Sequence, residues 1–237
     1  MKKLLFLVIT ILFICGCVTA TKLPPQEVII KIEATEPTTI EVEKDRINKT
    51  MQIQNQEGTL SNLSFISGDK AYIKIFSALT VGDVTSLWGD LCILENNPKV
   101  RTINLFISSP GGDAFSGLAL ADEIERAKRR GFHVIAHASG VVASAALPVL
   151  VVCNERLAAP GTIFMVHETS LWKWPGRETR SDIRAQNELL GLLRDRYLEK
   201  LAQHTKANKK EWERMEDRTT WFDAKQALEW GVIDRIE

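Results

Sequence analysis

From Ala71 onward the chain alternates between short apolar segments and longer helical ones, and this alternation limits the folds open to it. The short runs have the branched and aromatic composition of strands, whereas the longer runs have helical periodicity. The predicted elements are, in chain order, strand Tyr72–Phe76, helix Val81–Glu95, strand Thr102–Ile107, helix Ala114–Arg130, strand Phe132–Ala138, a helix beginning near Ser144, strand Ile163–His167, a long helix Glu178–His204, and a closing helix and strand. This succession predicts an α/β domain with a largely parallel sheet, whose active site lies where strands end and helices begin.

The length of the chain limits the number of domains, and its charge balance limits the kinds of partner that we expect. The chain has 237 residues, of which 45% are hydrophobic. Without a signal and a tether, roughly 170 residues remain, which suffice for one domain with a sizeable core. We therefore predict a single domain at 59–237. Thirty basic and thirty acidic residues leave no net charge, so nucleic acid is not an expected partner.

The first residues have the pattern of an export signal. Lys2 and Lys3 form a positive start, and the apolar run 4–14 is too short for a stable membrane span. The sequence Ile14-Cys-Gly-Cys17 then resembles a bacterial lipobox, which predicts a signal peptide at 1–16 and a lipid on Cys17. The mature protein is then an exported lipoprotein, anchored to a membrane and facing the periplasm. An ordinary secretory signal or an uncleaved anchor is the alternative.

The segment 17–58 has the composition of a tether. It contains Pro24-Pro25 and alternating charged and branched residues, with little that would pack as a core. A lipid anchor needs such a spacer to let its domain stand away from the bilayer. The run that begins at Val28 alternates like a strand and is compatible with local order.

Three segments carry the residues of acyl-transfer chemistry. Ser144 follows a predicted strand and has small neighbours, and His167 ends another strand as a candidate general base. Upstream, a buried-type strand runs into Pro110-Gly111-Gly112, a turn whose backbone N–H groups can face a developing oxyanion. Taken singly, each has a structural explanation: a helix cap, a histidine at the edge of the core, and a strand-to-helix turn.

In this order and spacing, the segments resemble the ClpP family, the proteolytic subunit of the Clp protease, within the ClpP/crotonase superfamily. The resemblance runs from about Ala71 to Asp234 and includes the Ser-Pro-Gly-Gly turn, the Gly-x-x-Ala-Ser context, the strand-end histidine and the closing segment Phe222–Asp234. It implies a ClpP/crotonase-like fold of repeated β-β-α units in a superhelix, with a long protruding helix.

The resemblance also implies a serine-peptidase mechanism. Ser144 would attack a peptide carbonyl, and His167 would take its proton and return it to the leaving amine. The backbone N–H groups of Gly112 and Ala145 would form the oxyanion hole.

One position departs from the family pattern. An aspartate orients the histidine in the family, but alignment on Trp221-Phe-Asp-Ala places Thr219 at that position. A threonine hydroxyl can orient an imidazole but cannot stabilise an imidazolium by charge. Asp217 lies two residues before Thr219, and Asp223 four residues after it. We take Asp217 as the displaced third member, with Thr219 itself as the alternative.

Partners follow from export and from the resemblance. The family assembles as rings, which implies a homo-oligomer, and Trp172 and Trp174 in a Pro-Gly loop fit a subunit contact or an apolar groove. ATP is absent from the periplasm, so a cytoplasmic unfoldase is not an expected partner. The predicted function is an ATPase-independent peptidase acting on peptides or unfolded segments. A catalytically weakened ClpP-like scaffold or peptide-binding protein is the alternative, and a crotonase-like thioester enzyme is disfavoured because no CoA-binding feature is present.

No cofactor and no metal are predicted, because no Cys/His cluster has metal-site spacing. His133 and His137 on one strand are interpreted as structural, and His204 as a charge at a helix C-terminus. Cys92 and Cys153 either pair or remain as two buried thiols.

Overall fold

The computed structural model describes residues 62–170, 177 and 179–237. The predicted signal peptide, Cys17, the tether and the Trp172–Trp174 loop lie outside the described residues. None of the helices in this part of the chain has the length and apolar character needed to cross a membrane.

Strands and helices alternate along the described chain, as the sequence predicts. The strands are β1 (Leu63–Ser67), β2 (Lys70–Ile75), β3 (Thr102–Ser109), β4 (His133–Ala143), β5 (Glu155–Ala158), β6 (Ile163–Val166), β7 (Thr220–Asp223) and β8 (Arg235–Ile236). The helices are α1 (Val81–Glu95), α2 (Ala114–Arg129), α3 (Ala146–Val151), α4 (Arg180–His204), α5 (Lys209–Glu216) and α6 (Ala224–Glu229).

The strands form one mixed sheet whose centre is parallel. The main path runs β1-β2-β3-β4-β5-β8, and β6 branches from β4 and carries β7 at its far edge. The pairs β1–β2 and β6–β7 are antiparallel, and the other pairs are parallel. A parallel sheet of this kind is covered by its crossover helices, as expected for an α/β domain.

Strand β4 is the longest strand and it organises the site. Its first half pairs with β5, and its last three residues, Val141, Val142 and Ala143, pair in parallel with the start of β6. Since parallel strands end at the same edge, the residues after β4 and β6 are brought together. The backbone N–H of Ser144 accordingly donates to the carbonyl of Met165, with 2.8 Å between nitrogen and oxygen.

The core is formed by the sheet together with buried side chains from helices α1 to α6. Leu87 and Leu91 of α1, Leu120 of α2 and Leu147 of α3 are almost fully buried against the apolar face of the strands. Burial of each such side chain stabilises the fold by about 1.5–3 kcal/mol. The core thereby holds rigidly the strand ends that carry the candidate site residues.

The two cysteines of this domain are not paired in the structure. Cys153 is buried after α3, and Cys92 is half-buried on α1. Burial raises the pKa of the Cys153 thiol to about 12, so this group is neutral at physiological pH and unreactive.

Candidate active site

Ser144 lies in a strained turn between β4 and α3. Its φ angle is 53°, in the left-handed region that residues with a Cβ rarely adopt. Strain of this kind costs of order 1–3 kcal/mol and persists where the surrounding structure imposes it, commonly at functional sites. The turn leaves the hydroxyl facing a cavity while the backbone on both sides stays buried.

The glycine turn after β3 packs directly against the serine turn. Gly111 has a φ of 93°, and a Cβ there would lie 2.7 Å from both the Ala143 carbonyl oxygen and the Ser144 Cβ. The turn is fixed on its other side by Leu79, whose N–H donates to the Gly111 carbonyl at 2.8 Å and whose carbonyl accepts from the Asp113 N–H at 3.0 Å. Glycine is therefore required here by close backbone approach.

Two residues with unbonded backbone N–H groups lie beside Ser144 at the cavity. Gly112 and Ala145 both line it, and among the described residues neither N–H donates to a protein acceptor. Buried N–H groups are nearly always hydrogen-bonded, so a pair left open in a cavity is suited to an incoming oxygen atom. This is the position that the sequence assigns to the oxyanion hole.

His167 follows β6 and reaches the serine. Its Nε2 lies 2.8 Å from the Ser144 Oγ, so the hydroxyl is placed to donate a hydrogen bond to the imidazole. A nucleophile and a base at this separation are geometrically competent for proton transfer. The structure thus brings together two residues that are 23 positions apart in the chain.

The cavity above these residues has a volume of about 250 Å³. Its polar part is formed by Ser144, His167 and Thr169, and its apolar part includes Leu118, Pro148 and Leu193. An apolar wall beside a polar corner can bury the apolar part of a ligand while the polar side chains contact its polar part.

Tyr197 of α4 lines the cavity and contacts the serine segment. Its hydroxyl donates to the Ser144 carbonyl at 3.2 Å. Burial raises the pKa of this phenol, so it remains a neutral donor. The long helix therefore contacts the backbone of the candidate nucleophile.

The structure does not place Asp217 against His167, contrary to the sequence-based hypothesis. Asp217 follows the last helical residue of α5, is 62% exposed, and has its Oδ1 3.1 Å from the Arg194 Nη2. Thr219 is exposed in a left-handed turn with a φ of 51°. Within the described part of the chain, no side chain is hydrogen-bonded to the His167 Nδ1.

The residue that sequence reasoning missed is Glu216. Its side chain has no exposed surface, and its Oε2 lies 2.6 Å from the Arg194 Nε. Burial raises the pKa of this carboxyl, while Arg194 and a hydrogen bond from the Thr169 backbone N–H oppose that rise. Glu216 is the last residue of α5, a short helix with many charged residues. Nothing in that sequence indicates that Glu216 is buried while the charged residues near it are exposed.

The other histidines have structural partners. His133 pairs with Glu155, and His137 contacts Glu237 and Asn104. In the part of the chain described here, no group of three or more His, Cys, Asp or Glu side chains is placed to hold a metal ion.

The sheet with its strand-end serine and histidine defines a ClpP-like α/β protein. The Clp protease family model matches residues 65–237. The chain belongs to the Clp protease family, which is a family of peptidases.

Clp protease subunits from other bacteria are similar to this chain over most of the domain. The ATP-dependent Clp protease proteolytic subunit 2 of Thermobifida fusca is 30% identical over 62% of this chain and 71% of its own length. The proteolytic subunit 1 of Streptomyces coelicolor is 30% identical over 71% of this chain and 78% of its own length. Among solved structures, an asparagine-to-aspartate mutant of ClpP1 from Listeria monocytogenes is similar with a TM-score of 0.62 and 21% identity, covering 70% of this chain and 90% of that one. The predicted ClpP/crotonase-like fold is thereby confirmed.

Proposed function

We propose that this protein is a serine-type endopeptidase that cleaves peptides or unfolded segments by acyl transfer. The observation that carries the proposal is the 2.8 Å separation of the Ser144 Oγ and the His167 Nε2 at the edge of a cavity. Two open backbone N–H groups beside the serine supply the electrostatic part of the site.

The proposed reaction has two stages. The Ser144 oxygen attacks the peptide carbonyl while its proton passes to the His167 Nε2, and the oxyanion accepts hydrogen bonds from the N–H groups of Gly112 and Ala145. The carbon–nitrogen bond then breaks, and the leaving amine takes the proton from His167. Water repeats the sequence on the acyl-enzyme, with His167 again as base, and releases the acid.

The surroundings of the His167 Nδ1 determine the rate of peptide cleavage that we expect. Among the described residues no carboxylate is hydrogen-bonded to the His167 Nδ1, so the imidazolium formed in the first stage lacks a partner charge from this part of the chain, and replacing the aspartate of a full triad by its amide costs about 10⁴-fold. We therefore expect a slow Ser-His pair rather than a full triad. The same observation favours the second candidate, a weakened ClpP-like scaffold that binds peptides without cleaving them.

The location and partners are part of the proposal. An exported, Cys17-lipidated protein would work in the periplasm without an ATPase, although the similar proteins named above are subunits of ATP-dependent proteases. A homo-oligomeric ring is supported by the family and by the exposed apolar side chains of Ile183 and Leu192 on α4. Mass spectrometry of the full chain should find an acylated Cys17 that Cys17→Ser abolishes, and a soluble N-terminus downstream of Cys17 would contradict the anchor.

Hydrolysis of a quenched fluorogenic peptide by the full chain, without ATP, tests the activity. We expect slow cleavage that Ser144→Ala abolishes while its circular dichroism spectrum and melting temperature stay the same. Peptide binding without cleavage in the unmutated protein would favour the scaffold. Cleavage that survives Ser144→Ala would rule out the serine mechanism.

A further inference from the structure

The hydroxyl of Tyr197 is hydrogen-bonded to the peptide group that joins Ser144 to Ala145. Tyr197 lies on α4 with 8% of its surface exposed, and its hydroxyl donates to the Ser144 carbonyl with 3.2 Å between the two oxygen atoms. The Leu147 backbone N–H donates to the same carbonyl at 3.0 Å. One donor therefore belongs to the turn itself, and the other comes from a helix residue 53 positions further along the chain.

The direction of the Ser144 carbonyl fixes the direction of the Ala145 N–H. The peptide bond between these residues is trans. A trans peptide group is planar, and its C=O and N–H point to opposite sides of the bond. A donor that holds the Ser144 oxygen in place therefore also holds the Ala145 N–H, which is one of the two groups assigned to the oxyanion hole.

This turn needs restraint because it is strained. Ser144 has a φ of 53°, and a residue with a Cβ keeps such a conformation only where its surroundings impose it. On the N-terminal side of the turn, the Ser144 N–H donates to the Met165 carbonyl at 2.8 Å. On the C-terminal side, Leu147 and Tyr197 hold the peptide group that follows. Tyr197 thus restrains the half of the turn that carries the Ala145 N–H.

The phenol of Tyr197 is chemically suited to this contact. Burial raises its pKa, so the hydroxyl keeps its proton and remains a donor at every pH at which a histidine acts as a base. A hydrogen bond to a carbonyl also polarises the peptide group, which makes the N–H of that group a stronger donor. A purely structural phenol would satisfy its own hydrogen bond without any effect on the reaction, and this difference can be measured.

We propose that Tyr197 is a positioning residue that holds the Ser144–Ala145 peptide group so that the Ala145 N–H stays directed at the oxyanion. The inference rests on the proposed function and deepens it. The oxyanion forms only when Ser144 attacks, so a misdirected N–H weakens the transition state more than it weakens peptide binding. Loss of one oxyanion-hole donor costs about 10²–10³-fold in kcat, and loss of its alignment alone should cost less.

Tyr197→Phe tests the proposal, because it removes the hydroxyl and keeps the ring in the cavity wall. Tyr72→Phe is the matched control, since Tyr72 is the other tyrosine of the chain and its ring stacks on Phe65 and Phe106 of the sheet. Both variants are assayed below their melting temperatures. We expect Tyr197→Phe to lower kcat for a fluorogenic peptide by about tenfold with KM within about twofold, and Tyr72→Phe to match the unmutated protein. An unchanged kcat in Tyr197→Phe would overturn the proposal.

A peptide boronate that ends in leucine separates transition-state binding from ground-state binding. Its boron atom forms a tetrahedral adduct with a serine hydroxyl, which resembles the transition state. Tyr197→Phe should weaken the binding of this boronate by about tenfold, whereas the affinity for the same peptide with a carboxamide end should change by less than about twofold. Equal weakening of both ligands would mean that Tyr197 only shapes the cavity, and the positioning role would be wrong.

Amide hydrogen exchange gives a readout that needs no activity. The N–H groups of Ser144 and Leu147 are hydrogen-bonded at the two ends of the turn. Their exchange should accelerate by about fivefold or more in Tyr197→Phe and stay unchanged in Tyr72→Phe. If the unmutated chain shows no Ser144-dependent cleavage, the proposed function fails, yet this measurement still decides whether Tyr197 holds the turn. Unchanged exchange in Tyr197→Phe would overturn the positioning role in either case.

Discussion

The two sides of this site are held by different means. On the serine side, the glycine turn packs directly against the Ser144 turn. A Cβ added at Gly111 would lie 2.7 Å from the Ala143 carbonyl oxygen and from the Ser144 Cβ. On the histidine side, the neighbouring support is a side-chain pair, in which the Arg194 Nε lies 2.6 Å from the Glu216 Oε2. Backbone packing leaves no freedom for substitution, whereas a side-chain support can shift to a neighbouring residue. The family pattern is intact on the first side and altered on the second.

On the serine side, even one added methyl group should therefore cause a large loss of activity and stability. Gly111→Ala adds one methyl group, which would lie 2.7 Å from the Ser144 Cβ at a φ of 93°. We expect kcat to fall by about 10²-fold and the free energy of unfolding to fall by about 2 kcal/mol, because the serine turn must shift. Peptide kinetics and chemical denaturation measure the two effects.

Gly89→Ala is the matched control for that substitution. Gly89 lies in the interior of α1, and a Cβ there would meet nothing within 4 Å. The free energy of unfolding should rise by up to about 1 kcal/mol, with no change in kcat. Equal losses of kcat in the two alanine variants would show that the loss at Gly111 does not come from its packing against Ser144.

On the histidine side, replacing Thr219 by the aspartate of the family should raise kcat. Thr219→Asp places a carboxylate where the resemblance expects one, at a left-handed position that aspartate tolerates better than threonine. We expect kcat to rise by about tenfold, well short of the 10⁴-fold of a complete triad, because residue 219 is exposed in this structure. Steady-state kinetics of the variant measure this, and an unchanged kcat would mean that residue 219 does not reach the imidazole.

The smallest effect should come from Asp217. Its carboxylate is exposed and paired with Arg194, so Asp217→Asn should change kcat by less than about twofold and the free energy of unfolding by less than about 1 kcal/mol. A large loss of kcat would restore Asp217 as the third member and contradict the observed ion pair.

Most of the fold was predictable, and the misses have physical reasons. Helix α1 has the predicted bounds, since Thr80 and Asp83 form a capping box at its start. Strand β5 is only four residues long, with two of them charged, and α5 buries only Trp212 and Glu216, so neither gives a clear periodic signal. Strand β4 continues beyond the predicted end at Ala138 to Ala143, and the helix predicted near Ser144 begins at Ala146.

Within the site, the approach of Ser144 to His167 follows from parallel strands that end at one edge. The third position does not follow from any such rule. Successive residues on a helix differ in direction by about 100°, so the rotation of α5 decides that Glu216 faces inward and Asp217 faces solvent. That rotation is set by the packing of Trp212 in the core, which the sequence pattern does not reveal.

The central claim, that Ser144 is a nucleophile activated by His167, is tested most directly by mapping a fluorophosphonate adduct. Mass spectrometry of the labelled full chain should find a single adduct on Ser144, formed at least 10²-fold more slowly in His167→Ala. No adduct on Ser144, or an equal rate of labelling without His167, would contradict the account.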